Sequence, residues 1–295
     1  MNCGKLFNVV CLLCLLVLPS CSQTEKIVPR QIQFADKGPD VVRAMTFNIR
    51  YGSADDGDNH WNRRKELVFD MLADHKADVI GLQEALDFQI QEIGQALGQY
   101  GIVSAGRDDG AAAGEACPIL YRRDRFTLSD SGTFWFSNTP WKPGSKHWGN
   151  DLPRICTWVR LTDTATGNSF YVYNLHLDHV SQISRERSVQ LLLKELGSRK
   201  HAGPVIVLGD FNMAASNPAM APLRMVDVWG SLHPDQLSVT TYHAFGEQSD
   251  GPCLDHIFID EFTDIVDVAI DGQSYGGRFP SDHFPVVALF KLNLN

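Results

Sequence analysis

The sequence predicts an α/β fold in which two packed sheets carry helices on their outer faces. Short, wholly apolar runs such as residues 204–208 (PVIVL) read as strands buried on both sides. Segments with apolar residues at helical spacing alternate with these runs in each half of the chain. Almost every apolar run also stops at a polar residue of the kind that binds ligands.

Taken in order, residues 1–20 read as a secretory signal. Lys5 supplies the positive end, residues 6–18 run apolar, and small Ser20 precedes Cys21. The run is short for a membrane span. The string Leu18-Pro19-Ser20-Cys21 resembles a bacterial lipoprotein processing box with an unusual Pro19, so Cys21 is the expected lipidated residue. Residues 21–40 then form a tether, and residues 41–295 a single catalytic domain, since no repeat or Pro/Ser-rich linker divides them. The expected product is an exported protein anchored by lipid on the periplasmic or cell-surface side.

Residues 41–49 (VVRAMTFNI) predict a strand delivering polar side chains at its C-terminal end. Residues 61–75 place Leu67, Val68, Met71 and Leu72 at helical spacing. Residues 77–82 form a short strand ending at Gln83-Glu84, and residues 87–97 a second helix. Residues 117–121, 154–161 and 169–177 read as strands, and residues 184–196 as the clearest amphipathic helix. Residues 204–208 lead into Gly209-Asp210-Phe211-Asn212, and residues 254–259 and 284–292 close the set.

Hydrophobic content of 44% and charged content of 21% are those of a globular enzyme. The formal net charge is −9, and loss of Lys5 with the leader makes it more negative still. A protein that grips long duplex nucleic acid usually presents a basic face, so processive duplex binding is disfavoured. Of the seven cysteines, Cys117, Cys156 and Cys253 lie beyond Cys21. Their spacing fits neither a disulfide framework nor a zinc site, which leaves them as small buried hydrophobes.

The polar strand ends are Asn48 (TFNIR), Glu84 (GLQE), His176 (NLHLDH), Asp210 and Asn212 (GDFN), Asp255 (LDHIF) and Asp282-His283 (SDHFPV). A carboxylate at the end of a buried strand is costly unless a cation or hydrogen bond compensates it. One such residue is ordinary turn chemistry; the repeated design is not.

These blocks resemble the signature segments of the endonuclease/exonuclease/phosphatase superfamily, in its order and approximate spacing, over residues 41–292. The resemblance implies a four-layer α/β/β/α sandwich of two mixed sheets flanked by helices, with the site at one end of the sheets. It also implies a phosphoesterase that uses Mg²⁺ or Mn²⁺, because a hard cation answers the charge of the phosphoryl group. Glu84 is the first expected metal ligand, with Asn48 and Asp282 contributing directly or through water. Asp210 would orient and deprotonate the attacking water. Asn212 would hold that geometry and bind a phosphate oxygen. His283, its charge set by Asp255, would contact phosphate, and His176 would donate to a non-bridging oxygen.

The Asn48-Ile49-Arg50 string resembles the pancreatic-type deoxyribonucleases more than the abasic-site endonucleases, which carry an acid two residues after the Asn. Arg50 could hold a phosphate instead, and Arg154 and Arg185 also flank signature blocks, where the plain alternative is structural ion pairing. Trp61 and Arg64 resemble the same region of the carbon catabolite repressor deadenylases. Trp61, Trp141 and Trp148 are therefore candidates for stacking on a base or sugar, or else packing residues. His147, His179 and His256 read as structural, and the HLDH string suits no single helical face.

The expected activity is phosphodiester hydrolysis of the exonuclease kind. Its alternative is monoester hydrolysis of small sugar, inositol or lipid headgroup phosphates. In either case the partner is an oligonucleotide or a small phosphorylated molecule, and the protein a monomer. A non-catalytic surface binding module on the same fold predicts lost ligands, yet every expected polar position is filled.

Overall fold

A computed structural model describes residues 1, 38, 40–237 and 239–292. All but the first residue of the signal segment, Cys21 and nearly all of the tether lie outside the described residues. Among the described residues, no helix is long and apolar enough to cross a membrane.

The chain opens with β1 (Val41–Asn48), α1 (Trp61–His75), β2 (Val79–Gln83), α2 (Asp87–Ala96), β3 (Tyr100–Val103), β4 (Ile119–Arg122) and β5 (Phe126–Trp135). It continues through β6 (Ile155–Asp163), β7 (Ser169–His176), α3 (Gln182–Gly197), β8 (Val205–Asp210), β9 (Val226–Asp227) and α4 (Val228–Leu232). It ends with β10 (Asp255–Ile259), β11 (Thr263–Ile270) and β12 (Val286–Leu292). One six-stranded sheet has the order β11-β12-β1-β2-β4-β3 and the other β5-β6-β7-β8-β10-β9. Both are mixed, with parallel pairs β1–β2 and β7–β8 near their centres.

Strand periodicity builds the layers. Val42 and Ala44 of β1 face inward and pack with Val172 and Leu208 of the second sheet. Met45 and Phe47 face outward and pack with Val68, Met71 and Leu72 of α1. On the other side, Tyr173 and Val207 pack with Val189 and Leu192 of α3. Each side chain of this size taken fully out of water contributes about 1.5–3 kcal/mol. The α/β/β/α order follows as expected.

The first predicted helix has the predicted bounds. His60 caps its start by accepting from the Asn62 amide, and Lys76 ends it with φ 46°. The third helix begins two residues before its expected start, because the Ser181 hydroxyl caps it by accepting from the Ser184 amide. Strands β5 and β11 lie outside the elements that the sequence predicts. Both are edge strands, with exposed alternate positions and a bulge (Leu128/Asp130 and Ile265/Asp267) that breaks the period. Cys117, Cys156 and Cys253 are free and buried.

A polar bridge joins the two sheets through the core. Gln83 Nε2 donates to Thr46 Oγ1 (3.0 Å) and across to Asn174 Oδ1 (2.6 Å). Asn174 Nδ2 in turn donates to the Leu82 and Pro118 carbonyls at 2.7 and 2.8 Å. Gly81 makes room, since a Cβ there would meet Leu208 at 2.0 Å and Asn174 at 2.7 Å.

Candidate active site

The topology gathers the polar strand ends at one place. β1 and β2 are parallel, so Asn48 and Glu84 emerge together; β7 and β8 are parallel, so His176 lies beside Asp210. β10 runs the other way along β8 with Asp255 opposite Asp210, and the segment entering β12 brings Asp282 and His283 to the same end. Gly209 permits the close approach of β8 to β7, because a Cβ there would lie 2.1 Å from the Leu175 carbonyl oxygen. Arg50, Glu84 and Asn212 all hold left-handed backbone (φ 57°, 61° and 51°). Strain of this kind costs on the order of 1–3 kcal/mol per residue and clusters at functional sites.

Asn48 is wholly buried and holds two carboxylates at once. Its Nδ2 donates to Glu84 Oε1 (3.1 Å) and Asp210 Oδ2 (3.0 Å), while its Oδ1 accepts from the Arg50 amide (3.0 Å). Asn48 thus positions Glu84, and its Oδ1, which accepts a single hydrogen bond, keeps a second lone pair. The second oxygen of Glu84 accepts from the Tyr51 amide at 3.1 Å. The Asn212 amide fixes Asp210 Oδ1 at 2.8 Å. His283 Nδ1 meets Asp255 Oδ2 at 2.8 Å, and its Nε2 lies 4.0 Å from Asp210. Asp255, His283 and Asp210 thus form a buried acid–imidazole–acid line.

Burial and the neighbouring Asp255 charge push Asp210 up to about 7. Burial opposes a charge on His283, but Asp255 and Asp210 overcome it and push the imidazole up to about 10. Asp255 and Asp210 thus favour the cationic form of His283, and burial raises the Asp210 carboxyl towards the range that suits a general base. His176 behaves otherwise. Burial, with Arg154 and Arg107 nearby, holds it well below the usual histidine range. Asn212 Nδ2, oriented by the Leu177 carbonyl (3.0 Å), donates to His176 Nε2 at 3.0 Å. The expected phosphate donor is here a neutral imidazole whose Nε2 accepts.

A cleft of about 430 Å³ opens over these groups. Arg50, Arg107 and Arg154 reach its wall, each beside an acid. Arg50 is clamped by Asp56 (3.0 and 3.1 Å) and lies 3.8 Å from Asp282. Arg107 makes a two-point pair with Glu115 (2.6 and 2.8 Å), and Arg154 contacts Asp178 at 3.4 Å and His179 at 2.7 Å. Arg107, Glu115 and Tyr242 escaped the sequence reading, since none ends an apolar run. Two expected contacts move the other way. Trp61 is 1% exposed, donates its indole N–H to Glu92 and cannot stack on a substrate. Arg185 turns onto the Asp178 carbonyl and Gln182 (both 2.9 Å) and does not line the cleft, because the loop before α3 and the first residue of the helix satisfy it locally. Arg64, noted beside Trp61, is a buried strut. Its guanidinium donates to the carbonyls of Ile49, Asn59 and Pro280 (each 2.8 Å) and ties the loops that carry Arg50 and Asp282.

The donor set fits a hard divalent cation. Glu84 and Asp282 face one cleft; burial, with the Glu84 charge adding to it, raises Asp282 above the usual carboxylate range. A cation between them would remove that repulsion, and oxygen ligands suit Mg²⁺ or Mn²⁺. Ligand atoms of Glu84, Glu115 and His176 also lie within 4.8 Å of one another, and those of Asp210, Asp255 and His283 form a second such group, to which Glu84 does not belong.

The family model described as "Endonuclease/Exonuclease/phosphatase family" matches residues 45–283. No curated protein matches by sequence. An endonuclease/exonuclease/phosphatase from Bacteroides vulgatus is 32% identical with a TM-score of 0.79, covering 85% of this chain and 99% of its own. A mannosyl-6-phosphatase from Bacteroides thetaiotaomicron is 30% identical with a TM-score of 0.77, covering 84% and 99%. The human Nocturnin catalytic domain with bound sulfate, 20% identical with a TM-score of 0.67 over 85% and 93%, shares the fold.

Proposed function

This chain belongs to the endonuclease/exonuclease/phosphatase family, a family of phosphoester hydrolases, and on that premise we propose that it is a metal-dependent phosphomonoesterase of small sugar phosphates. The observation that carries the hydrolase reading is Asp210, buried between the Asn48 amide and the His283 imidazolium and tuned near neutrality. The sugar phosphate reading draws on the 30% identity with the mannosyl-6-phosphatase across nearly the whole of that protein. It also draws on a cleft of about 430 Å³, the size of a small-molecule site, and on the formal charge of −9, which opposes a polyanionic substrate.

Glu84, with Asp282, would hold Mg²⁺ or Mn²⁺, which when bound withdraws charge from the phosphoryl oxygens. Asp210 takes a proton from the attacking water, and its own orientation is held by the Asn48 and Asn212 donors. His283, kept cationic by Asp255, faces the oxygens on which negative charge grows. Asn212, propped by His176 and the Leu177 carbonyl, keeps the water in line. Arg107 and Arg154 supply positive charge at the wall. The reading includes export, with the domain anchored by lipid at Cys21.

Release of inorganic phosphate is the test. With Mg²⁺, mannose 6-phosphate and related hexose phosphates should turn over, and a chelator should stop the reaction. Faster cleavage of an oligonucleotide or a chromogenic diester would replace the monoester reading with the diesterase one. No metal-dependent turnover of any phosphoester would favour a binding module.

A further inference from the structure

A second cavity, of about 370 Å³, lies on the outer face of the second sheet and shares no residue with the catalytic cleft. Its floor is aromatic by strand register. Trp158 on β6 is directly opposite Tyr173 on β7, and their rings stack at 6.3 Å and 29°. Tyr171, two residues back on the same face, stacks on Tyr173 at 6.3 Å and 25°. The partner of Trp158 on the other side is Gly132 of β5. A Cβ at Gly132 would lie 2.9–3.0 Å from the indole, so the glycine lets the ring lie flat across the strand. Trp141, 61% exposed, adds a second indole at the wall.

Core packing accounts for Tyr171 and Tyr173, which α3 covers. Trp141 meets the buried Phe134 edge-on at 6.1 Å, yet most of its indole stays exposed, and one face of Trp158 is left partly open. The polar groups around the floor are engaged in part, since Arg199 Nη1 donates to the Leu196 carbonyl and Asp130 accepts from the Ser131 amide, but others are left over. Neither tyrosine hydroxyl nor the Glu195 carboxylate hydrogen-bonds to another described residue, and Arg199 Nε is buried without a partner. Arg199 lies over the Tyr171 ring at 5.5 Å, and Lys200 stands 3.7 Å from Asp130. Two acids and two bases balance at the rim, so the cavity has no bias towards a polyanion. Flat apolar ring area beside carboxylates and donors suits a ligand with one apolar face and a hydroxylated edge.

We propose that this cavity is a saccharide-binding site for neutral pyranose rings, stacked on Trp158 and Trp141 with hydroxyls on Asp130, Glu195 and Arg199. The proposal stands apart from the phosphatase reading. A nucleobase would use the same rings but would want a cationic track for its backbone, which the balanced rim lacks.

The test is titration of the full-length protein with maltotriose, cellotriose and mannotriose, read by tryptophan fluorescence and calorimetry, with oligothymidylate as the comparison. At least one trisaccharide should bind saturably, and Trp158→Ala should weaken it by about tenfold or more. Trp141→Ala, an exposed change that leaves the fold intact, should weaken it several-fold with phosphate release unchanged. The proposal is overturned if none of the sugars binds, if binding survives both substitutions undiminished, or if oligothymidylate binds there in preference to every sugar.

Discussion

At the scale of single residues, the proposed chemistry concentrates in Asp210. Burial beside Asp255 pushes its carboxyl up to about 7, and only the ionised form accepts a proton from water. The rate per unit substrate, kcat/KM, should therefore fall as pH drops below about 7 and level off above it; a flat profile from pH 5 to 8 would remove Asp210 as the base. Asp210→Asn should lower kcat by about 10²- to 10⁴-fold with little change in KM. Glu84→Gln should act differently. The amide can still meet one of the Asn48 and Tyr51 donors, but it loses the charge that holds a cation. Its activity should recover in part at high Mg²⁺, where that of Asp210→Asn does not; full activity at low Mg²⁺ would take Glu84 out of the metal site. The acids, His283 and Asn48 were legible in the sequence because each flanks an apolar strand, Asn48, Glu84 and Asp210 at its C-terminal end and Asp255, Asp282 and His283 at or before its start, where an uncompensated polar group is expensive. What could not be read was the direction of each hydrogen bond. Whether His176 donates or accepts depends on Asn212 and the Leu177 carbonyl, which only the folded chain brings together.

Among the elements, the buried Gln83–Asn174 bridge sets the two sheets against each other directly beneath the site. Asn174→Leu takes the side-chain donor from the Leu82 carbonyl and an acceptor from Gln83 in a dry core, while the Pro118 carbonyl keeps the Leu82 amide, which should cost about 1–3 kcal/mol in urea unfolding. A loss below about 1 kcal/mol would mean that water enters the gap or that the bridge carries little. The same scale shows where sequence periodicity ends. β8 was readable because residues 204–208 run apolar without a break, and β1 because it is rich in β-forming residues. β5 and β11 were not, because an edge strand needs only one buried face and each carries a bulge. Trp61 illustrates the converse error. An aromatic near a signature block suggested stacking on a substrate, but its place on α1 turns it into the core against Phe69.

Across the whole molecule, parallel pairs at the centre of both sheets bring their C-terminal ends to one edge, and this makes a site out of residues more than 200 positions apart. Ligands in α/β proteins collect at such edges for the same reason. The lipid anchor is a claim at this scale too. Cys21→Ala should move the protein from the membrane fraction to the soluble one; continued membrane association would rule out lipidation as the tether. The central claim is that side chains from both sheets converge on one bound cation that takes up phosphate charge. Anomalous diffraction from crystals soaked in Mn²⁺ tests it most directly. The account predicts a manganese peak about 2 Å from a Glu84 oxygen, on the cleft side of Asp282 and facing Asp210. A peak elsewhere with Glu84 bare, or no peak at a Mn²⁺ concentration that supports turnover, would contradict it.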